Sequence, residues 1–199
     1  MFHLSTIAEE KITTALDEGT PTTAPNEHID AASWRRVPAE WEPQEAIWLQ
    51  WPGPWEKTYE EALAAFSCII IQYEGLHVLY QSSQVLSDAK TSLVKAGCDP
   101  GHELITWHGI PNDSAWMRDN GPIFVIEAGT LRLQNWQFDA WGGRFGEDVP
   151  YELDDLVPVR VAEYLDMPLD MINIVHERGN LEFNGAGTVI LNWSTLGDP

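Results

Sequence analysis

The chain has 199 residues, with 11 Lys+Arg against 31 Asp+Glu and a formal charge of −20, a balance that repels phosphate backbones and anionic lipid and so excludes nucleic acid and membrane as expected partners. Hydrophobic residues at 44% and aromatics at 11% exclude wholesale disorder and suffice for the core of one domain. Cys68 and Cys98 are too few for a disulfide framework, and each reads as a small buried hydrophobe. No apolar run approaches the ~20 residues of a membrane span. The opening residues have neither a basic start nor an apolar stretch, so a cytosolic protein is expected.

Residues 1–33 hold few large apolar side chains and a Thr/Pro-rich stretch at Thr20–Pro25, which predicts a mobile extension ahead of a domain over 34–199. Ala46–Trp51 reads as a strand stopped by Pro52-Gly53-Pro54. From Glu56 to Glu74, Tyr59, Leu63, Phe66 and Ile70 recur at helical spacing and predict an amphipathic helix. His77–Tyr80 is a second strand, and Gln84–Lys95 a second helix stopped by Gly97. Gly121–Leu133 has a tight glycine turn, Gly129-Thr130, between apolar runs, the mark of a hairpin. Tyr151–Leu165 reads as helix despite Pro158, and Met171–Val175 as strand.

Gly179–Leu191 repeats the hairpin. Gly121 and Gly179 lie 58 positions apart, and at that offset Ala128, Gly129, Thr130 and Leu133 match Ala186, Gly187, Thr188 and Leu191. An in-register match of this kind suggests a structural repeat. The same offset maps Asp119 onto Glu177, so each repeat carries a carboxylate two residues ahead of its glycine. Repeats arranged about a pseudo-rotation axis bring equivalent strand ends together, which would turn both acids toward one pocket. The alternative is that both cap strands in solvent. The last hairpin has no following helix, so the third unit is expected to be incomplete.

The segments Val37–Pro52, Trp116-Met117-Arg118-Asp119-Asn120-Gly121-Pro122 and Phe138-Asp139-Ala140-Trp141-Gly142-Gly143, with Glu177-Arg178-Gly179-Asn180 and Asn184–Thr188, together resemble the agmatine deiminase and bacterial-type peptidyl-arginine deiminase family of the guanidine-modifying penteins. The resemblance implies an α/β fold, a partial pentein-type α/β propeller with about three of five pseudo-symmetric repeats, the last incomplete. It implies hydrolysis of a guanidinium to a urea, with agmatine or another small cationic guanidine as partner; the sequence has neither zinc-ligand spacing nor a Gly-rich phosphate loop, so no cofactor is expected, and an oligomer is an open expectation. Asp119 and Glu177 match the family's guanidinium-binding acids; a planar, permanently charged guanidinium suits carboxylates lying in its plane. Trp116, Arg118, Asn120, Trp141, Gly142 and Gly143 belong to the matched motifs and are expected to line the substrate site, with an indole face available for cation–π contact.

Two departures follow. The family's Cys nucleophile and its His-x-Asp motif have no counterpart here, so the sequence is expected to be truncated and inactive alone. Neither Cys68 nor Cys98 stands at the nucleophile position, and His108 and His176 read more readily as structural than as proton shuttles. Arg178 replaces the family's usual Gly and is expected to crowd the hairpin or pair with Glu177. A Trp-rich carbohydrate-binding module, with ten Trp available for stacking on sugars, is the competing reading.

Overall fold

The computed structural model describes residues 35–146 and 148–192; the extension expected over 1–33 lies outside them. A two-residue strand, β1 (Arg35–Arg36), is followed by β2 (Ala46–Gln50), helix α1 (Glu60–Ile70), β3 (Gly75–Leu79), helix α2 (Ser83–Ala96) and β4 (Ile105–His108). β2, β3 and β4 pair in parallel in that order. Parallel neighbours need a crossover, and α1 and α2 supply it.

The two faces of β3 serve two cores. Leu76 and Val78 pack with Ala64, Ala89 and Leu93 beneath the helices, while Leu79 joins Met117, Leu133, Val157 and Val161 on the other side. A strand buried on both faces loses the polar alternation of a surface strand. The buried face of α1 is displaced from the predicted stripe: Ala64 and Ser67 are buried, whereas Phe66 is 61% exposed. A 3-10 turn at Lys57–Tyr59 precedes the helix and accounts for its late start.

α2 stops at Gly97 as the sequence signals, and starts one residue ahead of the expected Gln84. Ser82 caps it by accepting from the Val85 amide at 3.3 Å. Gly97 takes φ 94° as Cys98 N–H returns to Leu93 O, the closure that favours glycine. Cys68 and Cys98 form a disulfide between α1 and the end of α2, with Cα atoms 5.6 Å apart. The expectation of two free, buried thiols is therefore corrected, because the crossover geometry juxtaposes residues 30 positions apart.

Helix α3 (Met117–Asn120) leads into β5 (Ile123–Glu127) and β6 (Thr130–Gln137), an antiparallel pair closed by Ala128 (φ 50°) and Gly129 (φ 78°). Helix α4 (Val157–Leu165) then crosses over to β7 (Leu169–Val175), parallel to β6, in a sheet of order β1-β5-β6-β7. α4 starts six residues later than Tyr151. Pro158 sits in its first turn, where the missing N–H costs nothing, and residues 152–156 form turns instead.

The last pair, β8 (Leu181–Phe183) and β9 (Val189–Leu191), is antiparallel. Its register departs from the repeat by one residue: Phe124 faces Leu133, but Leu191, equivalent to Leu133, faces Leu181 instead of Glu182. The cause is the connection. Asn184 Oδ1 accepts from the amides of Ala186 and Thr188, both at 2.9 Å, and organises a five-residue loop with Gly185 and Gly187 at positive φ. The architecture is mixed α/β, and no sheet closes on itself among the described residues.

Candidate functional site

A four-residue helix cannot hold itself in water, yet α3 carries Asp119. The arm leading to it, Asp113–Trp116, is pinned by two buried carboxylates. Glu56 accepts from Ala115 N at 2.7 Å and from the Trp116 indole at 2.9 Å. Asp154, with no solvent exposure, accepts from Gln50 Nε2, the amides of Asp113 and Ser114, and the Ser114 hydroxyl. Burial raises both above the ordinary carboxylate range, Asp154 to about 6.

Asp119 meets the second repeat through its glycine. The Gly179 backbone N–H lies close enough to the Asp119 carboxylate to favour its charged form, and a Cβ on Gly179 would stand 2.0 Å from Asp119 Oδ1. Only a residue without a side chain admits this approach. The other oxygen accepts from the Trp141 indole at 3.1 Å. Trp141 is delivered by an unusual backbone: Ala140, Trp141, Gly142 and Gly143 all take positive φ, between 56° and 72°. For Ala140 and Trp141 that conformation is strained by roughly 1–2 kcal/mol each. Strain of this kind persists where the surroundings over-determine it.

Around Asp119 lies an aromatic rim. Trp116 and Trp141 meet edge to face at 6.1 Å, Tyr59 meets Trp116 at 5.8 Å, and Phe138 and Phe145 flank Trp141. Trp116 is 40% exposed, so the rim opens to solvent. Glu177 is half-buried, makes no side-chain hydrogen bond among the described residues, and is near enough for its charge to act on Asp119. Burial is the largest cause holding Asp119 above its usual range; the Glu177 charge adds to it and the Trp141 bond opposes it. A permanent cation beside these two acids would relieve both effects.

Arg178 neither crowds the hairpin nor bonds to Glu177. Its guanidinium donates to the carbonyls of Met117 (2.8 Å), Arg118 (3.3 Å) and Pro122. Burial pushes it down to about 9, while the Asp119 charge opposes that fall. Arg178 therefore fastens the start of the β8–β9 hairpin to α3 and the Pro122 carbonyl that follows it, and remains charged at neutral pH.

The structure gathers Asp119, Glu177, Trp116 and Trp141 and leaves the other motif residues aside. Arg118 turns outward to Glu40 and to Glu182 at 2.7 Å. Asn120 is buried, its amide 3.4 Å from Ser114 Oγ. Gly142 and Gly143 lie exposed on the turn, with Gly142 N–H bonded to Asp139 at 2.8 Å. His108 is buried in a stack with Trp48 and His77, 2.8 Å from His77 Nδ1, and burial drives it down to about 4. His176 is buried against Trp136. No cluster of metal-ligating residues occurs among the described residues. Sequence reasoning missed Glu56, Asp154, Gln50 and Ser114. Nothing marks two buried acids among 31.

Comparison with known proteins decides the family. The sequence profile of the Porphyromonas-type peptidyl-arginine deiminases matches residues 36–199. The chain belongs to this family. Agmatine deiminase of Pseudomonas aeruginosa (strain LESB58) is 33% identical over 179 residues, covering 85% of this chain and 45% of that protein. A putative agmatine deiminase of Enterococcus faecalis is 33% identical over 164 residues, covering 78% of this chain and 42% of that protein. A solved structure of the Enterococcus faecalis agmatine deiminase superposes with a TM-score of 0.70 at 32% identity, over 81% of this chain and 44% of that one. This member of the deiminase family thus spans about half the length of the relatives it matches.

Proposed function

We propose that Asp119 and Glu177 bind the guanidinium of a small cationic substrate, and that the whole protein is an amidine hydrolase of the agmatine deiminase type. The reaction is agmatine plus water giving N-carbamoylputrescine and ammonia. The observation that carries this reading is the Asp119 carboxyl, held by the Gly179 amide and Trp141 indole beside an unbonded Glu177. Two half-buried acids, one feeling the charge of the other, are costly without a cation. The indoles of Trp116 and Trp141 add flat, electron-rich walls. The likeness to agmatine deiminases supports agmatine over a peptidyl arginine.

Both cysteines of the 199 residues are joined to each other, so neither thiolate is free to attack a guanidinium carbon. The binding acids and the nucleophile belong to separate parts of the catalytic assembly. For the fold, the reading is that β2–β4, β5–β7 and the β8–β9 hairpin are three successive units of a five-unit pentein ring. Support comes from the parallel crossovers and the repeated hairpin, and from Met171, Ile174, Val189 and Ile190, apolar strand residues exposed to solvent as unit-to-unit surfaces would be.

Calorimetry of the chain against agmatine, arginine and a short glucan tests the reading. Agmatine binding that disappears in Asp119→Asn is expected, with no ammonia released by the chain alone. Equal affinity of wild type and Asp119→Asn, or a response to the glucan only, would overturn it.

A further inference from the structure

Asp154 lies on none of the matched motifs, yet it collects four donors, three of them from the arm that leads to Asp119. Its Oδ1 accepts from Gln50 Nε2 at 2.9 Å, from Asp113 N at 2.8 Å and from Ser114 N at 3.3 Å. Its Oδ2 accepts the Ser114 hydroxyl proton at 2.5 Å. All four partners are donors, so the site suits an acceptor-only carboxylate and not an amide. A serine hydroxyl has one proton. Once it is committed to Asp154, only lone pairs remain for Trp116 N and Asn120 Nδ2, both at 3.4 Å. Those two residues bracket Asp119: the amides of Asp119 and Asn120 return to Trp116 O at 2.9 and 3.1 Å. Gln50 Nε2 also holds Ser114 O at 3.0 Å, which ties the relay to the end of β2.

We infer that Asp154 is a positioning residue for guanidinium recognition: by orienting the Ser114 hydroxyl it sets the backbone of α3 and aims Asp119 at the Gly179 amide and the Trp141 indole. This inference rests on the reading of Asp119 as the guanidinium acid. It assigns part of the site's specificity to a group that never touches the ligand.

Asp154→Asn must turn an NH2 group toward N–H donors. Ser114→Ala removes only the relay, leaving Asp154 three of its four donors. The test uses the whole chain carrying 15N-labelled tryptophan indoles. The Trp141 indole, bonded to Asp119, is the reporter; Trp107 and Trp136, bonded to Pro100 O and Gln134, are remote controls. Each single variant is expected to move the Trp141 resonance, leave both controls in place and weaken agmatine about tenfold, the effect of one charged hydrogen bond. The double variant should be no weaker than the worse single, because both act on one path. Single variants that bind agmatine like wild type while Asp119→Asn does not would overturn the positioning role and leave the guanidinium reading intact. Equal or absent agmatine binding in wild type and Asp119→Asn would overturn that reading and the recognition role with it. A Trp141 resonance unmoved in both variants overturns the relay whatever agmatine does.

Discussion

Replacing Gly179 with alanine separates the acid's placement from the fold's integrity. The backbone of Gly179 is not at positive φ, so alanine fits its conformation without strain. Its Cβ, however, would stand 2.0 Å from Asp119 Oδ1, where ordinary contact begins at 3.4 Å. The carboxylate must retreat by about 1.4 Å, the difference between those distances. That movement breaks the Gly179 amide contact and stretches the 3.1 Å indole bond from Trp141 beyond hydrogen-bonding range. Charge-assisted bonds of this type contribute about 1.5–3 kcal/mol each, and water replaces part of the loss. A net 1.5–3 kcal/mol corresponds to roughly a 10- to 150-fold weakening of agmatine binding. Gly129→Ala is the control: its φ of 78° strains alanine, but nothing lies within 4 Å, so stability should fall by about 1 kcal/mol while binding is unchanged. Titration calorimetry and thermal unfolding read both effects. Wild-type affinity in Gly179→Ala, with Trp141 fluorescence unmoved, would refute the claim that the close approach places the acid.

Reducing the Cys68–Cys98 bond releases a loop with a separation of 30 residues, worth about 3–4 kcal/mol in the chain-entropy picture. Tm should drop by roughly 7–15 °C in thiol reductant; an unchanged melt would contradict a stabilising cross-link. Arg178→Met leaves buried carbonyls of Met117 and Pro122 without their donor, and about 2–4 kcal/mol of stability should be lost, measured by urea unfolding. pH has two opposing effects. His108, held near 4 when folded against an ordinary value of 6.5, contributes stability above pH 6.5 that is lost as pH falls toward 4, about 3 kcal/mol in all. Asp154, raised to about 6 from 3.8, favours the folded state in its protonated form, a contribution of about 3 kcal/mol complete below pH 3.8 and lost as pH rises through 6. Asp154→Asn removes the second effect, so its stability should fall more steeply between pH 6.5 and 4 than that of wild type. Parallel pH profiles would contradict this balance.

Much of the secondary structure was written locally. Gly97 marks the end of α2, the turn at Gly129 marks a hairpin, and the 58-residue echo between Gly121 and Gly179 announces a second one. These signals depend on neighbours a few positions apart, so the sequence displays them directly. The equivalence of Asp119 and Glu177 was also visible, because a repeated stretch of sequence lines up matching positions. The tertiary structure alone decided the rest. Pro158 moved the start of α4, and Asn184 slipped the β8–β9 register by building a longer loop. Cys68 met Cys98 only because two crossover helices lie side by side. Glu56 and Asp154 resemble any surface charge in one dimension, and the partners of Arg178 were not legible there. Their roles arise when folding removes water and leaves them facing the backbone donors and acceptors of a distant segment, and that energetic demand has no period in the sequence.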